Sequence, residues 1–177
     1  FPGHMMKTLR LMEKEVKNVD VVIVLLDARI PFSSQNPEIE KIIENKNRIY
    51  ILNKQDLADP EITARWIKHF RDKGTGAIAL NSKTGRNFGA VRAQIEKELK
   101  DLLERRQNRG IEGAKIRAML CGIPNVGKST FINGFAGQQR AKTADKPGVT
   151  RGKQWITVDN FELLDMPGVL WRKFENN

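Results

Sequence analysis

Apolar positions recur along this chain in two alternating rhythms. Val19 to Leu26 is an unbroken apolar run, which predicts a parallel strand buried on both faces. Before it, Met5, Leu9, Met12 and Val16 fall at helical spacing and predict an amphipathic helix over 5–17. After it, a helix follows Asn36-Pro37, with proline in its first turn, and runs to about Asn45. Arg48 to Leu52 is the next strand, and Glu61 to Lys73 is a helix closed by Gly74. Ala77 to Leu80 predicts a short strand, and 88–107 one long charged helix. Arg105 to Gly113 reads as a basic, glycine-marked linker. Ile116 to Cys121 is a strand, Lys128 to Phe135 a helix and Gln138 to Arg151 a loop. Gln154 to Val158 and Phe161 to Leu164 predict a hairpin turning on Asp159-Asn160. Strands alternating with helices point to an α/β three-layer sandwich with a mostly parallel sheet. Trp66, Trp155 and Trp171 are expected to serve packing rather than base stacking.

Charge changes the picture most. Lys and Arg total 31 against 21 Asp and Glu in 177 residues, a net charge of +10. Such a balance favours polyanionic partners, nucleic acid above all. Two groups stand out as RNA contacts: Arg105, Arg106, Arg109, Lys115 and Arg117, and the loop carrying Arg140, Lys142, Lys146 and Arg151. For the first, ordinary solvated helix charge is an equal alternative. The one cysteine, Cys121, excludes an internal disulfide or a cysteine-rich zinc site. No apolar run reaches the roughly 20 residues of a membrane span, so no membrane partner is expected. Without a secretory signal the cytoplasm is the simplest location.

Gly122-Ile-Pro-Asn-Val-Gly127-Lys128-Ser129 fits a P-loop, with an apolar strand before it and a helix after it. Glycines let backbone N–H groups wrap phosphates, and the helix N-terminus adds positive potential. Lys128 is expected on the β and γ phosphates, Ser129 on Mg2+, and Asn125, Val126, Gly127 and Thr130 around the nucleotide. Asp165-Met166-Pro167-Gly168 supplies a second phosphate reader: Asp165 towards the metal, the Gly168 N–H towards the γ-phosphate. Thr150, in the basic loop between them, is the natural second hydroxyl on Mg2+; a solvated loop threonine is the alternative.

Asn53-Lys54-Gln55-Asp56 ends another strand. The Asp56 carboxylate can accept from guanine N1–H and the 2-amino group, and adenine would leave it unpaired. Ser82 and Lys83 after the next strand back the base. Together with the P-loop these residues favour GTP over ATP. The base reader precedes the phosphate loop, the reverse of an ordinary GTPase.

That rotated order, with Phe1-Pro-Gly-His4-Met5 at the start and Asp27-Ala-Arg-Ile-Pro-Phe-Ser-Ser-Gln-Asn-Pro37 before the base reader, resembles the circularly permuted ribosome-assembly GTPases, in particular the ribosome biogenesis GTPase A (YlqF) group. The resemblance covers nearly the whole chain. It implies a circularly permuted GTP-binding domain over 19–177, preceded by an N-terminal segment and helix over 1–18. It further implies GTP hydrolysis coupled to maturation of the large (50S) ribosomal subunit, with Mg2+ as cofactor and the precursor's rRNA and proteins as partners of a monomer. A helical C-terminal RNA-binding domain is implied as well and is not found in these 177 residues. A permuted family of small-subunit maturation, which carries an OB domain and a zinc site, is the second reading; the single cysteine speaks against it. An RNA-binding factor whose nucleotide is mainly structural is the third.

Two roles follow from the resemblance. The position after Gly168, often a water-orienting Gln in GTPases, holds Val169. His4 is implied as its substitute, since a histidine orients or deprotonates water near neutral pH; a cloning remnant or an RNA contact are the competing readings. Asn125 resembles an asparagine that recruits K+ beside the phosphates, with a turn-stabilising role as the alternative.

Overall fold

The computed structural model describes residues 3–28, 37–53, 59–81, 88–111, 113–122, 128–137 and 154–166. Its elements in chain order are α1 (Gly3–Glu15), closed by a 3-10 turn (Val16–Asn18), β1 (Val21–Asp27), α2 (Pro37–Ile43), β2 (Arg48–Asn53) and α3 (Pro60–Asp72). Then come β3 (Gly76–Leu80), α4 (Phe88–Glu98), α5 (Lys100–Asn108), β4 (Ile116–Gly122), α6 (Lys128–Ala136), β5 (Gln154–Val158) and β6 (Phe161–Asp165).

The strands form one six-stranded sheet in the order β3-β2-β1-β4-β6-β5, parallel except for the edge strand β5. Alternate residues serve opposite faces, as the pleat requires. Val21, Ile23 and Leu25 pack with α4 and α6 in one core, through Phe88, Val91, Ile95, Phe131 and Phe135. Val22, Val24 and Leu26 pack with α1, α2 and α3 in the other, through Leu9, Met12, Ile39, Ile43 and Phe70. Every residue of β1 is buried, which explains why its sequence shows no alternation. The three-layer α/β fold expected from the sequence is the fold observed.

The path of the chain sets where ligands can sit. From β1 through α2 to β2 and α3 to β3, the chain walks one way with helices on the second core. From β4 through α6 towards β6 it walks the other way with its helix on the first. The direction therefore reverses between β1 and β4, which are hydrogen-bonded neighbours. Open α/β sheets bind ligands outside the carboxyl ends of their strands at such a reversal. Counted from β4 and wrapped through the chain ends, the strand order becomes 6-5-4-1-3-2, with the phosphate-loop strand first in number and central in space.

Local chemistry sets the boundaries. Asp59 caps α3 by accepting from the Glu61 N–H at 2.9 Å, Pro60 opens the helix, and Gly74 leaves it with φ +79°. The hairpin turns through Asp159 at φ 49°, a left-handed position that aspartate tolerates. Two expectations are corrected. The long helix over 88–107 is two helices broken at Leu99 (φ −101°, ψ 12°). Residues 105–108 belong to the second of them, so the supposed linker is helical over that part. Among the described residues no helix is long and apolar enough to cross a membrane.

Candidate nucleotide site

The carboxyl edge of the sheet gathers half of the buried polar side chains among the described residues. Eight polar side chains are buried among the described residues, and four of them lie on this edge: Asp27 after β1, Asn53 at the end of β2, Asn81 beyond β3 and Asp165 at the end of β6. Buried polar groups persist only when partnered or when kept for a ligand. Asn53 stands beside Asp27 in the β1–β2 register, and the Ala28 N–H donates to the Asn53 carbonyl at 2.9 Å. The end of β1 thus ties by its backbone to Asn53, the start of the base reader.

Gly122 ends β4 beside Leu25 of β1, at the reversal of chain direction. Lys128 opens α6, and Ser129 and Thr130 follow half-buried in its first turn. The Lys128 ammonium lies 2.7 Å from Asp165 Oδ1 and donates to the Met166 carbonyl. The carboxylate contact is ionic rather than an aligned hydrogen bond, so Oδ1 keeps acceptor capacity. Side-chain exposure is 17% for Lys128 and 10% for Asp165, so the pair is largely shielded from solvent. Two motifs distant in sequence therefore meet at one point. The Met166 carbonyl is a partner that sequence reading did not single out. It is the backbone between Asp165 and Gly168, and no side-chain pattern marks it.

Several expected residues fall outside the described residues: Lys54, Asp56, Ser82, Lys83, Asn125, Val126, Gly127, Thr150 and Gly168, with the basic loop of Arg140, Lys142, Lys146 and Arg151. His4 falls in the first turn of α1, with its side chain outside the described set. Asn53, Lys128, Ser129, Thr130 and Asp165 are described, and all lie at the carboxyl edge. Cys121 is fully buried one residue before the P-loop, and burial pushes its thiol up to about 12, so it is inert there.

The donor set suits Mg2+. It offers a hydroxyl at Ser129 and a carboxylate oxygen at Asp165, both hard ligands. No cluster of three or more His, Cys, Asp or Glu among the described residues could hold a metal alone. Mg2+ bound through one carboxylate, hydroxyls, waters and phosphate oxygens asks for no such cluster.

The basic group at the opposite edge is more constrained than its sequence suggests. Arg106 pairs with Asp20 at 3.0 Å, and Arg117 with Glu162 at 3.2 Å. Trp66 packs against Phe70, whose ring stacks on Tyr50, as the expected packing role requires. Trp155 departs from that role: it is 39% exposed on the edge strand, with the Arg117 guanidinium 5.4 Å from its ring centre.

Comparison with known proteins bears on the whole arrangement. Residues 117–177 match the family described as 50S ribosome-binding GTPase. Ribosome biogenesis GTPase A of Bacillus pumilus is 46% identical over 99% of this chain and 63% of its own length. The protein of that name from Thermotoga maritima is 31% identical over 97% of the chain and 59% of its own. The crystal structure of GNP-bound YlqF from T. maritima superposes with a TM-score of 0.64 at 26% identity, over 96% of this chain and 60% of that one. The chain thus spans about three fifths of the length of these relatives. Phosphate strand central, motif order rotated and relatives matched over nearly all 177 residues, the chain is a circularly permuted P-loop GTPase domain, similar to the ribosome biogenesis GTPase A (YlqF) proteins.

Proposed function

We propose that the protein binds and hydrolyses GTP as a nucleotide-dependent switch in assembly of the large (50S) ribosomal subunit, acting in the cytoplasm as a monomer. The observation that carries this reading is the Lys128–Asp165 contact at the carboxyl edge. It places the P-loop cation and the metal-side carboxylate on one spot, where a γ-phosphate and Mg2+ would lie. The family description and the names of the relatives supply the ribosomal partner.

In this reading Lys128 leaves Asp165 for the β and γ phosphates when GTP enters. Ser129 and Thr150 would hold Mg2+ by their hydroxyls, with the Asp165 carboxylate on its side. The ion supplies charge neutralisation along the phosphates. The backbone of Asn125 to Gly127, with Thr130, cradles the phosphates, and Gly168 offers its N–H to the γ-phosphate. Asn53, Lys54 and Asp56 read guanine, with Ser82 and Lys83 behind the base. Val169 cannot hold water, so His4 orients the attacking molecule. Asn125 also recruits K+, whose charge stands where an arginine finger otherwise would.

Multiple-turnover hydrolysis with and without large subunits tests the proposal. Stimulation by large but not small subunits is expected, and KCl should outpace NaCl. His4→Ala should lower stimulated turnover by about 10²–10⁴ with GTP affinity intact. Hydrolysis indifferent to ribosomal particles would leave nucleotide in a structural role and overturn the switch.

A further inference from the structure

The sheet has a second functional-looking place, away from the nucleotide edge. Ile156 and Val158 of β5 face the first core, so Trp155 and Thr157 face the other side of the sheet. On β4 and β6 that side carries Arg117 and Glu162, directly paired in register, and Glu162 in turn pairs with Thr157. Trp155, Thr157 and Arg117 are all exposed. Elsewhere the same face is sealed by α1, α2 and α3.

Trp155 leaves 39% of its surface open on this sheet face, where a flat ligand can reach it. The Arg117 guanidinium lies over the Trp155 ring, 5.4 Å from the ring centre, and adds a planar cation to the aromatic surface. Arg117 and Glu162 also line an open cleft of about 570 Å³ with Asn18, Asp20, Arg106 and Lys115. There the Arg106 Nη1 atom is buried and has no hydrogen-bond partner among the described residues. Lys115 and the neighbouring Arg105 and Arg109 are exposed. Aromatic ring, planar guanidinium and surrounding cations on a sheet face are the chemistry by which proteins hold unpaired nucleotides.

We propose that this face binds single-stranded RNA: one base stacks against the Trp155–Arg117 pair, and the adjoining phosphates lie towards Lys115 and Arg106. A protein partner fits less well, because the patch offers one aromatic amid cations in a chain of net charge +10. A duplex fits poorly too, because its bases are already stacked. The site is independent of GTP chemistry; only the expectation that the RNA is ribosomal rests on the proposed function.

The test uses the full-length protein and a labelled, unstructured ten-nucleotide RNA, followed by fluorescence anisotropy. Trp155→Ala should weaken binding about 10-fold, Trp155→Phe about 2-fold, and Arg117→Gln should weaken it and flatten its salt dependence. Binding of a blunt RNA duplex should not distinguish Trp155→Ala from the parent. GTP turnover and thermal midpoint, read on the same samples, should stay unchanged for Trp155→Ala. Equal RNA affinity of Trp155→Ala and the parent overturns the site. So does an equal loss in Trp155→Phe and Trp155→Ala, or a loss that tracks a lowered thermal midpoint, because either marks a structural role. Loss of ribosome-stimulated turnover with RNA affinity intact would sink the switch and leave this site standing.

Discussion

The two edges of the sheet each carry lysine or arginine paired with aspartate or glutamate, yet the pairs work under different conditions. At the carboxyl edge Lys128 and Asp165 are 17% and 10% exposed. At the amino edge Arg117 and Glu162 are 52% and 30% exposed, with Arg106 and Asp20 between these limits at 23% and 17%. An exposed pair is screened and contributes about 0–1 kcal/mol. A shielded pair has lost much of its hydration, so removing one partner strands a charge at a cost of about 3 kcal/mol. The amino edge can therefore vary with little penalty. The carboxyl edge holds a cation in a place where only another anion can replace its partner.

The largest test breaks the shielded pair. Lys128→Met should abolish detectable GTP turnover, at least about 10²-fold down. It should also destabilise the nucleotide-free protein by about 3 kcal/mol, because Asp165 is left buried without its cation. Adding Asp165→Asn should recover most of that stability and none of the turnover. Urea unfolding of the two variants beside the parent reads the first effect, and phosphate release reads the second. If the double variant is no more stable than Lys128→Met, the pair carries no strong coupling and the contrast between edges fails.

The second test moves to the other edge. Arg106→Ala removes the Asp20 pair, but Asp20 still accepts from the Arg117 N–H at 2.9 Å. The carboxylate keeps a partner, so the loss should be about 1 kcal/mol, with GTP turnover unaffected. A loss near that of Lys128→Met would show that the amino edge is as shielded in solution as the carboxyl edge.

Much of this architecture was legible in the order of residues, and what was not has physical causes. Val19 to Leu26 announced a central strand because full burial removes the need for polar residues. The motif order announced the permutation because each motif must end or follow its own strand. The break at Leu99 was not legible. Val91, Ile95 and Leu99 keep helical spacing across it, and the backbone bonds from Leu99 to Ile95 and from Leu103 to Leu99 persist. The distortion is too slight to need a glycine or proline. The Lys128–Asp165 contact was also hidden, because both roles are written locally while their meeting depends on β4 and β6 lying side by side. Trp155, expected to pack in the core or the hairpin, lies on the hairpin's edge strand, which has one face with little to cover it, and is 39% exposed. The Arg106 and Arg117 pairs were invisible because Asp20, just before β1, and Glu162, on β6, come from distant parts of the sequence.

The smallest test concerns a fourth acid, which lies at neither edge. Glu40 of α2 accepts from the Tyr50 hydroxyl at 2.5 Å, and Tyr50 stacks on Phe70 at 4.4 Å. Burial raises the Glu40 carboxyl above its ordinary 4.5, and the Tyr50 hydrogen bond with the Arg48 and Lys73 charges offsets this only in part. A raised acid holds its proton in the folded state at a pH where the unfolded chain has released it. Stability contributed by Glu40 is thus present below pH 4.5 and is lost as pH rises through the folded value. Glu40→Gln keeps an acceptor for Tyr50 and removes the titration. Denaturation across the acid range should show the variant gaining on the parent as pH rises through that window, by under about 1 kcal/mol at neutral pH. Parallel pH profiles would mean that Arg48 compensates Glu40 fully. The interior acid would then behave like the paired acids at the edges, and ionic pairing rather than burial would govern all four.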